Sequence, residues 1–333
     1  MKVLLYLEGE HLIGKSGIGR AIKHQQKALE MAGIPYTTDS KEDDYDIVHI
    51  NTYGPKSLAL LNSAKKQGKK VIVHGHSTME DFRNSFIGSN LVAPVFKTYL
   101  KKIYQAADYI ITPSEYSKSL IQNYGVTTPI SAISNGIDLP KYQPSSAKEK
   151  AFRDYFEIKE GQKVVISAGL YFKRKGIFDF VKVAEKMPEV RFIWFGKINE
   201  LVIPADIRKV VEKDHPANVL FPGYFKGDIF EGAMSGADAF FFPSYEETEG
   251  IVVLEALASH QSVVLRDIPV YKGWIDESSA ELCHNNDEFI TSLYRTINKE
   301  IDKRDAGYQV ATTRSLENVS KQLAAVYQKV MEL

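Results

Sequence analysis

The chain is built from short apolar runs that alternate with helix-like segments. VLLYLE, DIVHIN, VIVHGH, YIITPS and ISAISNG fall in its first half, and VVISAG, RFIWFG, NVLFPG, AFFFPS and SVVLRD in its second. Segments such as GRAIKHQQKALEMAG and FDFVKVAEKMP lie between them. Strands that alternate with helices form βαβ units on a parallel sheet. The runs are apolar throughout, as strands are when both faces of their sheet are covered. The alternation pauses at LPKYQPSSAKEKAFRDYFEIKEGQ, residues 139 to 162, where Pro, Ser and charges mark a linker. This pattern predicts an α/β chain with a first domain over 1–145, a second over 146–312 and a C-terminal packing helix over 313–333. Two doubly wound domains facing each other leave a cleft, and open α/β sheets bind ligands at the carboxyl ends of their strands.

Composition narrows the function. With 333 residues, 44% hydrophobic and 25% charged, the chain has the make-up of a two-domain globular protein. Its formal net charge of zero gives no field for nucleic acid, so none is expected as a partner. The single cysteine, Cys283, excludes an internal disulfide framework and agrees with a reducing compartment. MKVLLYLEGE reaches an acid too soon for a signal peptide and suits a buried first strand. No apolar run approaches the ~20 residues that span a bilayer.

The stretch EETEGIVVLEALA, residues 246 to 258, places two carboxylates around a glycine where a strand, AFFFPS, gives way to a helix. A helix beginning near Gly250 offers the free N–H groups of Ile251 and Val252 to a phosphate. Glycine at 250 lets a ligand approach the backbone closely. A carboxylate repels phosphate and binds hydroxyls, so Glu247 and Glu255 suit a polyol. A phosphate site flanked by two hydroxyl binders describes a sugar nucleotide. On spacing alone, a surface helix with an acidic first turn is the commoner pattern.

In the form PSYEETEGIVVLEALA this stretch resembles the signature of the family 4 retaining glycosyltransferases of the GT-B fold. KSGIGRAIKHQQKAL resembles the family's glycine loop, SNGID at 134 to 138 its turn before the linker, and FKRKGI its basic donor-phosphate loop. The motifs occur in the family's order and cover nearly the whole chain. The resemblance implies two Rossmann-like domains. It implies that Glu255 binds the ribose and Glu247 the hexose of a UDP-sugar, and that Ile251 and Val252 offer amides. Lys175 and Arg174 would neutralise the diphosphate, Gly17 would let the first loop close over it, and Tyr224 would meet the nucleobase. Where the family has an Arg after the glycine ending the second domain's first strand, this chain has Leu170. VIVHGHSTMEDFRNSF ends a strand with His74 and His76, which alternation puts on one side. The family's histidine near the reacting carbon is assigned to His76. Retention implies front-face departure and attack, with no protein nucleophile and no metal cofactor.

Other motifs point elsewhere. GEHLIGKS, residues 9 to 16, matches the P-loop pattern, but His11, Leu12 and Ile13 are bulky for a phosphate cradle and no strand ends in the Asp a magnesium ion needs. SGIGRA lacks the third glycine of a dinucleotide loop, having Ile22 there. The Asp-Tyr-Asp at 44 to 46 precedes its strand, so it is read as structural and not as a metal site.

The acceptor is read from residues 82 to 109, where Phe, Leu, Val and Tyr mix with Lys97, Lys101 and Lys102, and from a second basic cluster, Lys65, Lys66, Lys69 and Lys70. This suits docking to an anionic membrane surface, and it equally suits an amphipathic helix with a solvated face. HGHSTMEDFRNSFIGSN and SEYSKSLI resemble the Gram-positive branch that glycosylates diacylglycerol, most closely its enzymes adding a second hexose to glucosyldiacylglycerol. The implied protein is cytoplasmic and peripheral on the inner membrane face. It moves a hexose from UDP-glucose or UDP-galactose to a glycolipid acceptor. The alternatives are a polysaccharide-building transferase with an oligosaccharide acceptor and a non-catalytic nucleotide-sugar-binding protein.

Overall fold

The computed structural model describes residues 1–9 and 17–333. All ten apolar runs form strands. Six strands make a first sheet: β1 (Val3–Tyr6), β2 (Tyr36–Thr37), β3 (Ile47–Ile50), β4 (Lys70–His74), β5 (Tyr109–Thr112) and β6 (Ile130–Ala132). Six make a second: β7 (Val164–Ala168), β8 (Arg191–Phe195), β9 (Val219–Gly223), β10 (Ala239–Phe242), β11 (Val263–Arg266) and β12 (Glu281–Cys283). The spatial orders are β2-β1-β3-β4-β5-β6 and β12-β11-β10-β7-β8-β9. Every pairing is parallel, in registers such as Val3 opposite Ile47 and Val165 opposite Phe192. The alternation had not shown β2 and β12, which are very short edge strands.

Both faces of each sheet are covered. Val3, Leu4 and Leu5 are consecutive and all buried. Leu4, Val48, Val71, Val73 and Ile110 pack in one cluster, and Val3, Leu5, Ile47, Ile72 and Ile111 in another. In the second sheet Trp194, Phe180, Phe192, Phe241 and Phe289 centre the core, with Phe180 and Phe241 stacked at 5.8 Å.

Two compact units result. The first comprises Met1–Phe82, Leu91–Ile137 and Arg314–Leu333, and the second Arg83–Asn90 and Asp138–Thr313. The division falls at Ile137/Asp138, not near residue 145, and the C-terminal helix belongs to the first unit. Backbone bonds explain this: Ile137 N–H donates to Arg314 C=O at 3.0 Å, and Leu316 N–H to Ile137 C=O at 3.1 Å. The helix Leu316–Glu332 then buries its stripe Leu316, Val319, Leu323, Val326 and Val330. It packs beside the helix Gly17–Met31, and Ser320 Oγ donates to Ala28 C=O at 2.7 Å.

Parallel order places the chemistry. Strand order reverses between β1 and β3 in the first unit and between β7 and β10 in the second, and ligands bind outside the carboxyl ends at such points. The loops there carry the expected residues of the second unit, Leu170 to Gly176 after β7 and Pro243 to Gly250 after β10.

Candidate active site

In the second unit, the helix after β10, Ile251–Ala258, is buried at every position, including Glu255. This removes the surface-helix pattern, because a solvated acidic turn has no reason to lie in an apolar core. Gly250 caps the helix at φ +90°, a left-handed conformation that favours glycine. The first bond of this turn runs from Val253 N–H to Gly250 C=O at 2.8 Å, so the amides of Ile251 and Val252 precede it.

Glu247 is buried, and one carboxylate oxygen accepts hydrogen bonds from Lys175 Nζ and, at 2.6 Å, from Ser244 Oγ. Arg174 adds a guanidinium nitrogen at 3.9 Å. Burial alone would raise the carboxyl, but Lys175 and Arg174 with these hydrogen bonds hold it below the usual carboxylate range. Glu255 accepts a 2.8 Å hydrogen bond from the Tyr142 hydroxyl.

The three basic residues of FKRKGI separate. Lys173 is exposed, Lys175 turns to Glu247, and Arg174 is buried. Arg174 donates from Nε to Ser85 Oγ at 2.9 Å and from Nη1 to Glu246 C=O at 2.9 Å, while its own carbonyl accepts from Tyr245 N–H at 2.7 Å. It therefore fastens the loop that carries Glu247. Gly176 closes the turn at φ +81°, where a Cβ would meet the Pro243 carbonyl oxygen at 2.3 Å. Leu170, at the position where an Arg was expected, packs against the apolar core. Arg266 completes the frame, donating to Pro243 C=O at 3.1 Å, pairing with Asp179 at 3.3 Å and lying over the Tyr245 ring at 3.9 Å. Tyr224 follows β9 and is partly exposed.

The Tyr271 hydroxyl is buried without a hydrogen-bond partner among the described residues, 3.6 Å from where a Gly250 Cβ would lie. Burial first, and the Glu247 charge second, raise its phenol well above the ordinary value.

In the first unit, His74 and His76 do share a side: their rings stack at 3.9 Å. A third imidazole, His49 on β3, stacks on His74 at 5.2 Å. All three are buried. Desolvation holds His49 and His76 at about 3 and His74 well below its ordinary value, so the rings are neutral. Tyr327 of the C-terminal helix reaches His49 Nδ1 at 2.8 Å, and His49 Nε2 faces His74 Nδ1 at 3.1 Å. Gln25 and Asn51 pair their amides and meet the stack from the other side, with Asn51 Oδ1 2.9 Å from His76 Nε2. Tyr53 and Tyr104 fix the turn after β4: Tyr53 donates to His74 C=O at 2.6 Å, and Tyr104 to Ser77 C=O at 2.7 Å.

Gly17 opens the helix Gly17–Met31, while Lys15, Ser16 and most of the GEHLIGKS stretch lie outside the described residues. Asp46 pairs with the N-terminal amine and accepts from Lys2 N–H at 2.7 Å, at the amino end of β3. Among the described residues no group of three or more His, Cys, Asp or Glu is placed to hold a metal ion.

The helix Ser89–Ala106 exposes Leu91, Val92 and Val95 toward its start and Lys101 and Lys102 toward its end. Helical spacing puts Leu91, Val95 and Lys102 on one line. Lys97 stands apart, half-buried with its ammonium 4.7 Å over the Tyr124 ring. No helix among the described residues is long and apolar enough to cross a membrane.

Residues 36–141 match the family model for glycosyltransferase family 4, and residues 148–311 that for glycosyl transferases group 1. The chain is 49% identical to the processive diacylglycerol alpha-glucosyltransferase of Acholeplasma laidlawii, across 100% of this chain and 99% of that one. It is 24% identical to the alpha-galactosylglucosyldiacylglycerol synthase of Streptococcus pneumoniae, across 80% and 72%. Among solved structures, Anabaena HepE in complex with UDP-glucose superposes with a TM-score of 0.79 at 17% identity, covering 99% of this chain and 100% of that one. Sucrose-phosphate synthase from Thermosynechococcus elongatus gives 0.80 at 16% identity, covering 100% and 99%. At such identities these likenesses show the fold alone.

Proposed function

The chain belongs to the family 4 glycosyltransferases, and on that premise we propose that it transfers glucose from UDP-glucose to diacylglycerol lipids with retention of configuration, adding a second glucose to its own first product. The observation that carries the reading is the buried Glu247 carboxylate held by Lys175 at the strand-order reversal of the second unit. An acid kept ionised there accepts hydrogen bonds from hexose hydroxyls, and the adjoining helix amides suit the diphosphate. Glucose is preferred over galactose because the relative at 49% identity is named a glucosyltransferase, and repeated transfer because it is named processive.

In the reaction the bond from the anomeric carbon to the diphosphate oxygen breaks. The acceptor hydroxyl attacks from the same face, and its proton passes to the departing phosphate oxygen. Lys175 is placed to offset the growing diphosphate charge, and such fixed charges in a dry site supply most of the stabilisation. When phosphate takes up Lys175, Glu247 is released toward the sugar. Neutral His76 offers a lone pair to a hexose hydroxyl and does not act as a general acid.

Peripheral docking to an anionic membrane is supported by the apolar start and basic end of the helix Ser89–Ala106. The deciding experiment incubates the protein with UDP-glucose or UDP-galactose and vesicles containing diacylglycerol or monoglucosyldiacylglycerol, with lipid products analysed by mass spectrometry. Mono- and diglucosyl products from UDP-glucose are expected. Transfer to soluble oligosaccharides only, or no transfer from either donor, overturns the reading.

A further inference from the structure

The second unit, whose expected work is donor binding, has an exposed apolar knuckle of its own. Ile87 is 65% exposed and Leu201 78%, with Phe86 and Val202 partly exposed beside them. The knuckle is anchored. Ile87 N–H donates to Val202 C=O at 3.2 Å, and the Phe86 ring sits edge-on to Phe172 at 4.9 Å. Two large aliphatic side chains held out in water on a fixed backbone are unfavourable unless something covers them.

The surroundings say what covers them. Leu201 borders a cavity of about 580 Å³ lined also by Lys197, Ile198, Asn199, Arg208 and Glu212. Neither Lys197 nor Arg208 makes an ion pair with a described side chain. Aliphatic tips beside two unpaired cations match the boundary between acyl chains and anionic headgroups. Protein interfaces favour aromatic anchors at their cores, whereas the most exposed side chains of this patch are aliphatic. The chain also runs from Ile87 straight into the helix at Ser89, the element whose exposed face supports membrane docking.

Resting on the membrane reading above, we propose that the second unit docks to an anionic bilayer through Ile87 and Leu201, with Lys197 and Arg208 meeting the headgroups. The docked segment is tied to the donor loop. Arg174 donates to Ser85 Oγ and, through its backbone N–H, to Asn84 C=O at 3.2 Å, while its guanidinium also holds Glu246 C=O. Membrane contact at the knuckle is therefore passed to the loop that carries Glu247.

The test measures co-sedimentation of the full chain with vesicles of phosphatidylcholine containing phosphatidylglycerol, and with phosphatidylcholine alone. The variants are Ile87→Ser/Leu201→Ser and Lys197→Glu/Arg208→Glu. Ile87, Leu201 and Lys197 are exposed and Arg208 is half-buried, so UDP binding by calorimetry reports that fold and donor site are intact in each variant. We expect the aliphatic pair to lower partitioning on both vesicles roughly tenfold or more. The charge pair should lower it on the anionic vesicles alone. If wild type ignores both vesicles, the membrane reading falls and this inference with it. If wild type binds and Leu91→Ser/Val95→Ser releases it while Ile87→Ser/Leu201→Ser does not, the membrane reading stands and this inference is overturned. It is overturned too if wild type sediments as a concentration-dependent dimer that Ile87→Ser/Leu201→Ser abolishes, because the knuckle is then a contact between copies.

Discussion

His76 Nε2 lies 2.9 Å from Asn51 Oδ1, and this contact fixes which ring nitrogen carries the proton. The Asn51 amide nitrogen faces Gln25 Oε1 at 3.1 Å and the His49 carbonyl at 3.4 Å, both acceptors. Its oxygen must then face His76, so His76 donates from Nε2 and keeps its lone pair on Nδ1. Asn51→Leu removes the acceptor and frees the tautomer. We expect kcat/KM for glucosyl transfer to fall about 10- to 100-fold, as loss of a buried hydrogen-bond partner of ~1.5–3 kcal/mol implies. Asn51→Asp keeps an acceptor oxygen and should lose less. Equal losses in the two variants would show that packing, not the tautomer, is at stake.

The histidine stack makes stability pH-dependent. His49 and His76 are held at about 3 when folded, against an ordinary 6.5. Between these values the unfolded chain binds protons that the folded chain refuses. Stability is therefore full above ~6.5 and is lost as pH falls toward ~3. At pH 5 each ring contributes a loss of roughly 2 kcal/mol. Urea midpoints measured from pH 8 to pH 5 should fall steeply below 6.5. A flat profile down to pH 5 rejects the buried neutral stack.

Much of the fold was legible because parallel strands covered on both faces leave unbroken apolar runs such as VVISA and AFFF. Glu247 was legible because loop position follows from the strand before it. Its partners were not: Lys175 lies 72 residues away and Tyr142 lies 113 residues from Glu255, and no local pattern encodes such pairings. His49 passed as a strand residue, since only the fold brings Tyr327 to it across 278 positions. Arg174 read as a phosphate ligand because charge is visible in sequence, whereas its use as a clasp for residues 85 and 246 is not.

The Lys175–Glu247 pair gives a coupled prediction. On the proposed role of Glu247 at the hexose, Glu247→Gln should lower kcat about 100-fold by removing a charged hydrogen bond. Lys175→Ala should act similarly and weaken UDP binding. Because the two side chains touch, the double variant should lose much less than the product of the single losses. Additive losses in that cycle would mean that the residues act on unconnected steps.

On the proposal that Lys175 meets the diphosphate, turnover is expected to survive EDTA. Activity abolished by chelation and restored by magnesium or manganese would move the phosphate role from this lysine to a metal.

The helix Ser89–Ala106 separates its lysines. Lys101 and Lys102 are exposed, whereas Lys97 rests over Tyr124 and is directed into the unit. Lys101→Glu/Lys102→Glu changes the local charge by four and should weaken binding to anionic vesicles by several kcal/mol, at ~1 kcal/mol per basic residue near the surface. Added salt should shrink that difference by screening. Lys97→Glu should instead lower thermal stability, through loss of the cation–ring contact worth ~0.5–1 kcal/mol, with little change in vesicle binding. Leu91→Ser/Val95→Ser should remove the part of the binding that persists at high salt. If Lys97→Glu releases the protein as fully as the Lys101/Lys102 pair, the attraction is a diffuse field of the whole unit and the exposed line of Leu91, Val95 and Lys102 has no special part in it.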